Sequence, residues 1–97
     1  MARVAYSNVP GSPFTLTSSW QKVAAIGASI GHLRISPTAD ANAYDIEWVA
    51  VPLGATAPGD TYGVPVLGGE DFPGGVPAGD IYLKSATGQK AIVQTGA

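Results

Sequence analysis

The sequence predicts an all-β protein: a single antiparallel β-sandwich or jelly-roll-like domain with one long Gly/Pro-rich loop. Three observations carry this expectation. Short runs alternate apolar and polar residues, the two-residue period of a strand with one buried face. Turn-forming Gly and Pro separate those runs, 13 and 8 respectively in 97 residues. Residues 79–95 hold two β-prone runs around Thr87-Gly88, the pattern of a C-terminal β-hairpin.

The elements follow in chain order. Residues 1–13 read as an N-terminal arm: a short strand-like piece at 3–6, then a loop broken by Pro10, Gly11 and Pro13. Such an arm either lies on a neighbour or serves as an entry loop. The sandwich domain is expected over residues 14–97. Residues 14–18 alternate as a strand. Residues 20–26 suit a strand or a short helix, and the β-rich surroundings favour the strand. Residues 30–36 alternate, with Leu33 and Ile35 inward and His32, Arg34 and Ser36 outward, until Pro37 ends the run. Residues 43–51 form the longest predicted strand, with Tyr44, Ile46 and Trp48 inward and Asp45, Glu47 and Val49 outward. The runs around Leu33/Ile35 and Ile46/Trp48, joined by the polar turn at 38–42, are expected to pair as a hairpin. Residues 52–77 are dense in Gly and Pro and read as an excursion over the sandwich edge or toward a neighbour; long loops of this kind are usually functional.

The closing run returns to alternation. A two-residue turn at Thr87-Gly88 would set Leu83 opposite Ile92 and Tyr82 opposite Val93. Both faces of that pair carry apolar groups. The hairpin is therefore expected to be central in the sandwich or covered by a partner, because a half-solvated pair shows one apolar face.

Composition narrows the function. Five Lys and Arg stand against seven Asp and Glu, a net charge of −2 and 12% charged residues, about half the usual fraction. Nucleic-acid binding needs a basic face to release counterions, so no nucleic-acid partner is expected. Few charges need desolvating when such a surface meets another subunit. Without cysteine the chain has no disulfide, thiolate zinc site or cysteine nucleophile. The first six residues lack the apolar stretch of a signal peptide, and no run is long enough to span a membrane. Synthesis in a cytoplasm is expected, with no membrane partner.

Candidate chemistry is thin. Gly27-Ala28-Ser29-Ile30-Gly31 matches G-x-S-x-G and His32 follows. A nucleophile elbow needs a strand, a sharp turn and a helix, whereas a strand pattern follows here, so a turn between two strands is the expectation. His32, the single histidine, lacks the companions of a metal site or a triad and reads as a strand-face residue. Asp45 and Glu47 lie roughly 6–7 Å apart on one strand face, a separation a glycosidase pair would use and an ordinary solvated face would share. Asp40, Asn42 and Asp45 resemble the opening of a calcium loop. Asp45 and Val51 occupy the positions where an EF-hand has glycine and glutamate, which rules that motif out. No catalytic residue, cofactor or metal ligand is assigned, and an enzyme is not expected. Trp20, Tyr62, Phe72 and Tyr82 are the candidate interface residues; Trp20, Tyr62 and Tyr82 would also be the aromatics of a sugar-stacking platform.

One resemblance adds to this reading. The Pro/Gly turn followed by residues 79–89 and a last strand over 90–95 resembles the ending of small β-sandwich proteins of tailed-bacteriophage virions. The run 16–23, the 33–36 strand and the Gly/Pro stretch are similar in style. The resemblance implies a non-enzymatic, homo-oligomeric virion subunit of the head-decoration, collar or tail-associated type, whose partners are copies of itself and other virion proteins. It offers no catalytic residues to carry over. The alternative is a carbohydrate-binding or host-surface-binding sandwich module, with a glycan as partner.

Overall fold

The computed structural model describes residues 6–38, 45–56, 59, 63–65, 70–71 and 76–96. They contain no α-helix. Eight strands are present: β1 (Tyr6–Asn8), β2 (Phe14–Thr15), β3 (Gln21–Pro37), β4 (Ile46–Val51), β5 (Val64–Pro65), β6 (Glu70–Asp71), β7 (Val76–Ser85) and β8 (Lys90–Gly96). All pairings are antiparallel, and they build two packed sheets that share β3. Sheet A runs from β1 and β2, end to end along β8, through β8 and the second half of β3 to β6. Sheet B runs from the first half of β3 through β7 and β4 to β5. The predicted all-β sandwich is the fold.

β3 is a single strand of 17 residues. Its residues 21–31 pair with β7 and its residues 32–37 with β8. Between Ile26 and Ile30 the register slips, so that three β3 residues face Ala78 alone. The Gly27–Gly31 stretch expected to be a turn is thus a bulged bend at which one strand passes from sheet to sheet. Glycine suits such a corner, since it has no side chain to obstruct the tighter coiling. No strand–turn–helix elbow exists around Ser29.

Two predicted hairpins are corrected. The 33–35 and 46–48 runs do not pair: the first lies in sheet A against β8 and β6, the second in sheet B against β7 and β5. Likewise β7 and β8 are not ladder partners, so Leu83 does not face Ile92. β7 pairs with β3 and β4, β8 with β1, β2 and β3. The connection between them is a tight turn that crosses from one sheet to the other. Gly88 N–H donates to Ser85 O (3.2 Å) and Gln89 N–H to Ser85 Oγ (3.0 Å). Gly88 has φ +73°, a left-handed conformation that glycine adopts without steric cost. Each strand is central in its own sheet, the first of the two places the apolar pattern allowed.

The core lies between the sheets. Leu33 and Ile35 of β3, Ile46 of β4, Ile81 and Leu83 of β7 and Ala91 and Val93 of β8 are fully buried, with Val9, Leu16, Val23 and Ile26 completing the cluster and Trp48 packed beside it. A buried Val, Leu or Ile contributes about 1.5–3 kcal/mol relative to exposure, so these inward rows hold the layers together. The stretch read as an arm joins this structure. Tyr6–Asn8 pairs with β8, Val9 N–H donates to Val93 O (3.0 Å), Val93 N–H to Ser12 Oγ (3.0 Å) and Leu16 N–H to Gln89 O (3.1 Å). The backbone donors of β8 and of the entry segment are satisfied by one another.

Candidate functional site

The outer face of sheet B gathers most of the chemistry-bearing side chains. Register sets them in rows across the strands. Lys22, Tyr82 and Val49 form one row, Ala25, Asp80 and Val51 the next, and Lys84 stands beside Glu47. Trp20, just before β3, lies next to Lys84, whose Nζ is 4.5 Å from the indole centroid.

This face is covered by the chain itself. After β4 the excursion turns back, and three hydrogen bonds fasten its backbone to the face. Gly54 N–H donates to Asp80 Oδ2 (3.1 Å), Trp20 Nε1–H to Gly59 O (3.1 Å) and Gly63 N–H to Glu47 Oε1 (2.9 Å). Gly63 passes so close that an added Cβ would stand 2.5 Å from Trp20 Cη2 and 2.7 Å from Trp48 O. Gly54 takes φ +77°, as the tight turn out of β4 requires. On this face Tyr82 is only 8% exposed and Asp80 2%, although both alternate away from the inter-sheet core. Asp80 is an uncommon buried carboxylate and is compensated twice, by Gly54 N–H and by Lys22 Nζ at 3.4 Å from Oδ1.

The candidate residues are therefore distributed as follows. Trp20 and Tyr82 share this face; Tyr62 and Phe72 lie outside the described residues, as do Asp40, Asn42 and Tyr44. A sugar platform needs open aromatic faces. Tyr82 is buried, and Trp20 carries Lys84 against its ring and Gly63 at its edge. Glu47 and Asp45, considered as a carboxylate pair, have structural partners: Glu47 holds Gly63, and Asp45 Oδ2 accepts a hydrogen bond from Thr87 Oγ1 (3.1 Å). His32 is half-buried on the outer face of sheet A, where it pairs with Gly96. Its Nδ1 is buried without a hydrogen-bond partner. Among the described residues no group of three His, Cys, Asp or Glu is placed to hold a metal ion.

Sequence reasoning missed the fastening residues Lys22, Asp80, Lys84, Gly54, Gly59 and Gly63. One signal was available. Residues 80–85 carry bulky or charged groups on both faces, and so does the run through Val49 and Val51. A sheet with two such faces needs a cover on each.

The outer face of sheet A differs. Asn8, Gln94 and Arg34 stand side by side at one register level, with Asp71 at the next strand position. Tyr6, Gly96 and His32 form the neighbouring row, and Ile92 faces Ser36. Gln94 Nε2–H donates to Asn8 Oδ1 (3.0 Å). The Arg34 guanidinium crosses β8 where Gly96 offers no side chain and stacks 4.2 Å above the Tyr6 ring.

The strand edges are blunted. β2, β5 and β6 have two residues each and β1 three. β5 includes Pro65, which has no N–H to donate, and β6 is Glu-Asp. The open side of β3 carries Lys22 next to a bulge at Val23. Short edges, bulges, Pro and charge all discourage edge-to-edge pairing.

Comparison of the chain with protein-family models, curated proteins and solved structures gives no match, so its functional reading rests on its own residues and geometry.

Proposed function

We propose that this chain is a non-enzymatic structural subunit of a tailed-bacteriophage particle, on the head, collar or tail, that assembles as a homo-oligomer with copies of itself and contacts other virion proteins. One observation carries the reading. A two-sheet sandwich with blunted strand edges presents a surface drawn from a chain with only 12% charged residues. Such a body resists open-ended β-polymerisation while leaving broad, weakly charged faces whose burial requires little desolvation. The pattern of the C-terminal strands, similar to that of small virion sandwiches, supplies the biological class.

Size-exclusion chromatography with light scattering tests the assembly, and mass spectrometry of purified particles tests the location. The expected result is a discrete oligomer that persists in high salt, since few charges contribute to it, and a peptide signal in the virion. A monomer at high concentration together with absence from particles would overturn the proposal. Under this reading Ser29 does no chemistry, and Ser29→Ala leaves a hydrolase screen at the level of the unmodified chain.

A further inference from the structure

We draw no further inference here: the strongest candidate, the patch on the outer face of sheet A where Asn8, Gln94 and Arg34 align across β1, β8 and β3, carries nothing because nothing in the structure shows what covers it.

Discussion

β7 and β8 are adjacent in sequence, similar in composition and central in their respective sheets, yet they are buried differently. β7 is closed on both faces. Ile81 and Leu83 point into the core, while Asp80 and Tyr82 point away from it and are still buried. β8 is closed on one. Ala91 and Val93 are in the core, but Ile92 and Gln94 remain half-exposed. The cover over sheet B makes the difference. The strap from β4 to β5 is fastened to Asp80, Trp20 and Glu47, and no comparable segment lies over sheet A among the described residues. Among the described residues, then, only sheet B has a segment fastened across its outer face.

The sharpest way to break this comparison is to truncate the outward side chain at matched central positions. Tyr82→Ala removes a buried ring and leaves a cavity under the strap; by urea denaturation the loss should be about 3 kcal/mol. Gln94→Ala, on the outer face of sheet A, should change stability by no more than about 0.5 kcal/mol. Equal effects at the two positions would mean that the strap does not shield Tyr82 from water.

Asp80 is the next test. Asp80→Ala removes the acceptor of Gly54 N–H and the partner of Lys22, and should cost about 2 kcal/mol, the range of a hydrogen bond to a charged group. Asp80→Asn keeps an oxygen for Gly54 and should cost roughly half of that. Lys22→Ala should cost less than about 1 kcal/mol, since the lysine side chain is 52% exposed and solvent screens the pair. If Lys22→Ala proves as damaging as Asp80→Ala, the ion pair rather than the strap bond is the main fastening.

How much of this was legible in the sequence depends on which level is considered. Strand identity was readable, because alternation reports which face a residue takes: Leu33, Ile35 and Ile46 were placed inward by period alone, and all are buried. Pairing was not. A period of two says nothing about which strand lies alongside, and a tight turn such as 85–88 serves equally to fold a hairpin within one sheet or to cross to the other. Here the chain crosses. The Gly27–Gly31 stretch was misread for a related reason. Glycines interrupt a pattern both when a strand ends and when it bends, and only the β7 and β8 registers distinguish the two. At the candidate site, the aromatic residues stood out by type, whereas the fastening of Gly54, Gly59 and Gly63 to the outer face of sheet B depends on long-range contacts, which local pattern does not encode. The apolar groups on both faces of 80–85 did announce that some cover was needed.

Two glycines that look alike in sequence differ in the same way. Gly63 is wedged between Trp20, Trp48 and Glu47, and an added methyl would meet backbone oxygen as well as side chain. Gly63→Ala must therefore push the strap away from the face, at about 1–2 kcal/mol, with a red shift of tryptophan emission as water reaches Trp20. Gly27 sits at the bend of β3 with nothing within 4 Å of where its Cβ would be. Gly27→Ala should be neutral or stabilising by about 0.5 kcal/mol, because it narrows the unfolded chain's freedom without a clash. Should both substitutions prove neutral, the strap yields easily and is only loosely fastened. A loss at Gly63 alone would mean that a fixed strap, rather than strand geometry, closes the outer side of β7.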